Sequence, residues 1–281
     1  MANSAVQTRV ITGTVFGGVL IGAILWNEYS FATLLLGILM VSIYEYHQLL
    51  KNLEIFPNTF FTIAGNLLIF CGCIYFTVVH SYLGIQPFQV LVAAGLLILI
   101  FLLLICSELF RSYPKPIENI GTSILSLFYF GLPIGLLLLA SLNTSFEYDP
   151  WRVLFFFFFM WASDTGAYFT GRLIGKHKLF ERHSPKKTIE GLMGGITVSG
   201  LVGVAAWYFL GLLPLAGWIL IGCLLALTGT IGDLAESMFK RQAGIKDSGK
   251  ILPGHGGFLD RFDSTYFSAP IYYLLLQLLS E

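Results

Sequence analysis

The chain has 281 residues, of which 56% are hydrophobic and only 11% are charged. A soluble globular domain carries roughly 25% charged residues, so this composition excludes an ordinary soluble fold and indicates an integral membrane protein. Sixteen cations balance sixteen anions, which argues against nucleic acid as a partner.

Apolar segments recur near 10–26, 29–50, 59–79, 88–107, 119–142, 151–174, 191–210, 213–237 and 264–279. Each approaches the roughly 20 residues that cross a bilayer as a helix, so the expected fold is an all-α polytopic membrane protein with about nine transmembrane helices. Five spans fall in 1–150; the other four fall in 151–281, which also holds two polar segments, 175–190 and 238–263. No Ser/Pro-rich linker divides them, which predicts one integrated membrane domain. The first apolar run has no Ala-x-Ala cleavage site and is read as an uncleaved helix. The thinnest boundaries are Asn27 with Glu28, and the turn at 211–214. Cys71, Cys73, Cys106 and Cys223 all lie inside apolar runs, show no CxxC pairing that suggests zinc, and read as packing residues.

Lys and Arg are retained on the cytoplasmic side of a membrane. With a cytoplasmic N-terminus, alternate loops hold Arg9; Lys51; Arg111 and Lys115; Arg172, Lys176, Lys178, Arg182, Lys186 and Lys187; and Lys240, Arg241, Lys246, Lys250 and Arg261. Arg152 alone falls on the other side, so fifteen of the sixteen cations obey one orientation. Dropping one span would invert every later loop. The two long polar segments therefore share the cytoplasmic face, and the C-terminus is expected outside.

Asp164, Asp233 and Glu236 interrupt otherwise apolar runs. A charge at the bilayer centre costs about 3 kcal/mol on insertion scales, and such residues mark functional sites by default. Asp233 and Glu236 lie near the C-terminal end of their helix, where the macrodipole disfavours an anion and a bound cation would reverse that sign. Asp233, Glu236 and Lys240 share one helical face, with Lys240 about 10 Å further along the axis. Asp164, Tyr168 and Arg172 form a similar stripe on the sixth span, and the two stripes together could line one cavity. The plainer reading of Asp233 is a structural polar contact between helices, neutralised by a nearby Lys or Arg or kept protonated. Glu45 and His47, close to Lys51 and without a local motif, receive no role.

Beyond Lys240 and Arg241, Gly244, Gly249, Pro253, Gly254, Gly256 and Gly257 end the helix and permit close backbone approach to a ligand. Gly244 to Lys250 spells GxxxxGK, but Ile251 replaces the required Ser/Thr and Pro253 prevents the helix that a Walker A loop opens. GHGG at 254–257 has no G-x-S-x-G nucleophile to serve, which argues against a serine hydrolase. His255 could donate to a phosphate oxygen or orient the loop through a backbone carbonyl. Asp260 and Asp263 flank Arg261 at i and i+3, a second pair of hard oxygen ligands if this turn is helical. Bringing Asp233 and Asp260 together would suit a Mg²⁺ that keeps waters and takes phosphate oxygens.

The segment SMFKRQAGIKDSGKILPGHGGFLDRFD resembles the signature of the phosphatidate cytidylyltransferase, or CDP-diacylglycerol synthase, family. Ser237, Lys240, Arg241, Lys246, Asp247, Gly249, Pro253, His255, Gly256, Gly257, Asp260, Arg261 and Asp263 match its fixed positions. SDTGAYFTGRLIGKHK and SPKKTIEG are similar to the family as well, so the likeness begins near residue 160.

The resemblance implies transfer of a cytidylyl group from CTP to phosphatidic acid, giving CDP-diacylglycerol and pyrophosphate for phospholipid biosynthesis. It also implies Mg²⁺, with room for a second cation, membrane lipids as surroundings, a homodimer, and a bacterial-type plasma membrane with the site facing the cytoplasm. Asp233, Asp260, Lys240, Arg241, His255 and Asp263 are the expected catalytic residues. Asp233 and Asp260 are the expected metal ligands, with Glu236 and Asp263 in support. Lys246, Asp247, Lys250, Arg261, Gly256, Gly257, Asp164, Arg172, Lys186 and Lys187 are the expected substrate contacts. The alternatives are another CTP-dependent lipid transferase or kinase, or an ion-coupled transporter using the intramembrane acids. The D-G-x2-A-R motif of CDP-alcohol phosphotransferases is absent.

Overall fold

The computed structural model describes residues 2–83, 87–143, 145–249, 251 and 256–279. Within them the chain is 79% helical. The order is α1 (Ala2–Trp26), α2 (Glu28–Lys51), α3 (Thr59–Leu83), α4 (Pro87–Glu108), α5 (Pro116–Ser126), α6 (Leu132–Ala140), α7 (Pro150–Ile174), α8 (Ile189–Leu210), α9 (Leu215–Gln242) and α10 (Leu259–Leu279). A π-helical turn, Leu127–Gly131, joins α5 to α6 in one rod. Six helices among the described residues are long and apolar enough to cross a membrane: Glu28–Lys51, Leu91–Glu108, Pro116–Ala140, Pro150–Ile174, Ile189–Leu210 and Leu215–Gln242. Ile11–Trp26 and Thr59–Tyr75 are shorter apolar helices. The protein is thus an all-α polytopic membrane protein. In α10, Asp263, Ser264, Ser268 and three tyrosines dilute the apolar run.

The two thin boundaries have explicit stops. Asn27 is extended and caps α2 by accepting from Ser30 N at 2.8 Å, while the Ser30 hydroxyl reaches back to the Asn27 N–H, a reciprocal capping box. Gly211 ends α8 in the left-handed region at φ +62°, and Pro214 caps α9. Residues 175–190, expected only as a polar segment, contain an antiparallel hairpin of β1 (Lys178–Phe180) and β2 (Ser184–Thr188), pairing Lys178 with Thr188 and Phe180 with Ser184. The Glu190 carboxylate accepts from the backbone N–H groups of Lys176 and His177 and so ties the hairpin to the start of α8.

Helices α7, α8, α9 and α10 pack in sequence, and Phe155, Phe156, Phe157 and Phe159 are buried inside. The other half closes over them. Tyr148 Oη donates to Ile24 O at 2.7 Å, Ser42 Oγ lies 2.5 Å from Tyr266 Oη, and the π turn packs Tyr129 tilted and Phe130 edge-on against Tyr266 with centroids 5.4 and 5.0 Å apart. Cys71 and Cys106 are exposed on α3 and α4, so these two sulfurs are not packing residues within the chain; their helices turn that face outward.

One close approach sets the geometry of the site. A Cβ on Gly232 would sit 2.6 Å from Asp263 O and 3.1 Å from Ser264 Cα, so only glycine lets the α10 backbone lie against α9 immediately before Asp233. Gly232→Val is expected to separate the two helices and to destabilise the protein by about 1–3 kcal/mol through overpacking. Thermal denaturation in detergent would check this, an unchanged midpoint being the contrary result.

Candidate active site

The C-terminal end of α9 and the first turn of α10 meet around a buried lysine. Glu236 is fully buried, and its carboxylate pairs with the Lys240 ammonium one turn later. Lys240 Nζ also donates to Asp260 Oδ1 at 2.6 Å. The other Asp260 oxygen accepts from Ser248 N at 3.0 Å, Ser248 Oγ at 3.0 Å and Gly257 N at 2.8 Å. Lys240 and Asp260 are thereby held with polar partners, whereas the buried Glu236 is compensated by the Lys240 ion pair without a further hydrogen bond.

Past Lys240 the chain turns sharply. Ile245 N donates to Lys240 O and Gly244 N to Arg241 O, with Gly244 at φ +69°, which is a Schellman stop. Arg241 lies exposed at this turn and donates to Ile245 O at 3.1 Å. Lys246 and Asp247 line a cleft of about 370 Å³ with Ser248, Gly249, Gln48 of α2 and Asn52 just past its end. Gly256 adopts φ +82°, and a Cβ there would meet Asp260 Oδ2 at 2.6 Å. Lys250 and His255 lie outside the described residues.

A second group forms beside the first. Asp233 Oδ2 pairs with Lys187 Nζ at 2.6 Å, and Ser237 Oγ lies 3.3 Å from Asp233 Oδ1. The α9 stripe predicted from spacing is therefore divided: Asp233 turns to the hairpin, whereas Glu236 turns to Lys240. Asp263 is buried and accepts from Ser264 N at 2.6 Å. It lies within electrostatic range of Asp233, Asp164 and Lys240. Asp164, exposed on α7, is in range of Asp233, Lys187 and Arg261. These charges from α7, the hairpin, α9 and α10 lie close enough to interact. Arg172 is exposed and donates to Tyr168 Oη at 2.9 Å, and Lys186 is exposed on β2.

Asp260 and Asp263 do share a helical turn, but they point to different groups, one to Lys240 and the other toward Asp233. Among the described residues, no three His, Cys, Asp or Glu side chains converge closely enough to cage a metal. Two residues escaped the sequence reading. Ser248 bridges to Asp260, and Glu45, on α2, accepts from Leu259 N at 2.8 Å. Glu45 carried the same signal as Asp164, an acid within an apolar run, and its proximity to Lys51 concealed it.

The arrangement gathers acids and cations where membrane helices end, a setting that can align and neutralise phosphates at the lipid boundary. The chain is 52% identical over 126 residues to a phosphatidate cytidylyltransferase of Staphylococcus aureus (strain COL), and 52% and 51% identical over the same length to those of Staphylococcus epidermidis (strain ATCC 12228 / FDA PCI 1200) and Staphylococcus saprophyticus. Each alignment takes in 44% of this chain and 48% of the relative, so the match spans about half the length of these curated proteins. The model of the family described as "Cytidylyltransferase family" matches residues 7–279. With nearly its whole length matched, the chain belongs to the cytidylyltransferase family.

Proposed function

We propose that the protein transfers the cytidylyl group of CTP to phosphatidic acid, releasing pyrophosphate and leaving CDP-diacylglycerol in the membrane. The observation that carries this reading is the pair of acid–lysine contacts, Asp233 with Lys187 and Asp260 with Lys240, assembled from the segments that carry the family signature. An oxygen of the lipid phosphate forms the new bond to the α-phosphorus of CTP, and the bond from that phosphorus to the oxygen bridging it to the β-phosphorus breaks. Pyrophosphate takes the electron pair. The lipid is itself the nucleophile, so no covalent enzyme intermediate is required, and catalysis is alignment plus charge neutralisation.

The residues fit a divalent cation. Asp233 and Asp260 each already hold a lysine ammonium at 2.6 Å, so a positive charge is accommodated at both positions. Mg²⁺ is commonly held by one or two carboxylates plus waters and substrate phosphates rather than by an all-protein cage. Asp233 and Asp260 would hold it, supported by Asp263 and Glu236, and when bound it would supply neutralisation of phosphate charge. Lys240, Arg241, Lys246 and Arg261, with Lys250, neutralise the triphosphate and the departing pyrophosphate. Lys187, Lys186 and Arg172 receive the lipid head group or the nucleotide, Asp164 borders that space, and Asp247, Gly256, Gly257 and His255 shape the loop around the phosphates.

The same reading has nine crossings and a cytoplasmic N-terminus in a bacterial-type plasma membrane. The alternation of cations supports it, as does the Lys187–Asp233 pair, which joins the 175–190 segment to the end of α9 that opens into 238–263. Incubating the purified protein with phosphatidic acid and CTP labelled at the α- or γ-phosphate tests the reaction. Lipid labelled from the α-position together with pyrophosphate is expected. Lipid labelled from the γ-position would make the protein a lipid kinase, and no labelled lipid would overturn the proposal.

A further inference from the structure

We infer that Glu45, far from the signature in sequence, is a positioning residue that clips the two ends of the 249–257 segment together and thereby fixes Asp260 against Lys240. Its kinetic half rests on the cytidylyl-transfer reading; its structural half does not.

The Glu45 side chain is 1% exposed, in the cytoplasmic third of α2 by the orientation above. Its Oε2 accepts from Leu259 N at 2.8 Å. Leu259 opens α10, so the carboxylate sits at the positive end of that helix and satisfies one of its unpaired donors. Ser248 Oγ approaches the same oxygen at 3.4 Å. On the opposite side of the carboxyl group, Gly249 presses so closely on Oε1 that an added Cβ would overlap it, and Gly257 presses on Oε2 in the same way. One side chain thus meets the residue where the segment departs and the residue where it returns.

The residues that Glu45 holds are those that hold Asp260. Ser248 gives both its N–H and its hydroxyl to Asp260 Oδ2, Gly257 gives its N–H to the same oxygen, and Leu259 immediately precedes Asp260. The hydroxyl has one proton; spent on Asp260 at 3.0 Å, it leaves Glu45 to hold Leu259 by a hydrogen bond and Ser248 by packing alone. Oε2 carries the hydrogen bond to Leu259, whereas Oε1 is buried without a hydrogen-bond partner, so a Gln whose oxygen takes the Oε2 place keeps the Leu259 contact. The gap between the clipped residues is closed by a group from the N-terminal half of the chain, which gives that half a part in the site.

The test compares wild type, Glu45→Gln and Glu45→Ala as full-length protein in lipid nanodiscs, reading turnover, KM for CTP, and hydrogen exchange by mass spectrometry. Misplacement of a site by about 1 Å can cost on the order of 10²-fold, so Glu45→Ala is expected to lose about tenfold or more in kcat, and Glu45→Gln a smaller part of that. KM should shift less than kcat, and exchange should accelerate in peptides covering 245–262 while α7 and α8 keep wild-type protection. If Glu45→Ala does not fold, Glu45→Met, which fills the same space without an acceptor oxygen, decides the matter by the same readings. Wild-type kcat with wild-type exchange in 245–262 would overturn the clip. Uniformly faster exchange through α7 and α8 would overturn it equally, because the residue would then serve overall packing. Local acceleration in a protein whose wild type makes no CDP-diacylglycerol would leave the clip standing and remove the reaction.

Discussion

Asp233→Asn and Asp260→Asn are each expected to reduce cytidylyl transfer by on the order of 10²–10³-fold, the scale of losing one preorganised electrostatic group. The two substitutions differ in what else they disturb. Asp233 and Lys187 have side-chain exposures of 36% and 25%, and a pair this open to water adds at most about 1 kcal/mol to stability. Asp233→Asn should therefore leave the thermal midpoint near that of wild type while turnover collapses. Asp260 is enclosed, and its Oδ2 accepts from three donors. If the new amide nitrogen takes that place it faces N–H groups; if it takes the Oδ1 place it faces the Lys240 ammonium. Asp260→Asn should accordingly lower the midpoint as well as turnover. Near-normal turnover and Mg²⁺ dependence in either purified variant would remove that residue from the metal set.

The extent to which the sequence disclosed this site follows from where each contact partner lies. The common face of Asp233, Glu236 and Lys240 is a property of helical periodicity and was legible without a fold, as was the glycine stop after Arg241. The choice among partners was not. Lys240 could take Glu236 by an i,i+4 contact, but its second partner, Asp260, depends on how α10 lies against α9, which the Gly232 approach to Asp263 decides. Lys187 reaches Asp233 because it lies on β2, and that hairpin has no strong alternation of apolar residues to announce it. Glu45 was overlooked for the same reason on a larger scale. Its partners are more than 200 residues away, and only the packing of α2 onto the signature segment exposes the connection.

Lys240→Met is expected to cost stability and activity together, and a second substitution should separate the two. Glu236 is fully buried, and the side chains of Lys240 and Asp260 are 11% and 10% exposed. Removing the cation leaves Glu236 without its ion-pair partner and Asp260 with only its three neutral donors. Breaking a buried ion pair in this way typically costs about 3–5 kcal/mol, because the remaining charge is no longer compensated. Adding Glu236→Gln removes the most deeply buried of those charges, so Lys240→Met/Glu236→Gln should regain much of the lost stability in denaturation experiments. Turnover should stay low in the double variant, since no ammonium then faces the polyphosphate beside Asp260. A Lys240→Met protein that melts with wild type would show that Glu236 is neutralised by other means. A double variant that recovers turnover along with stability would reduce Lys240 to a counter-ion for Glu236 and take it out of the chemistry.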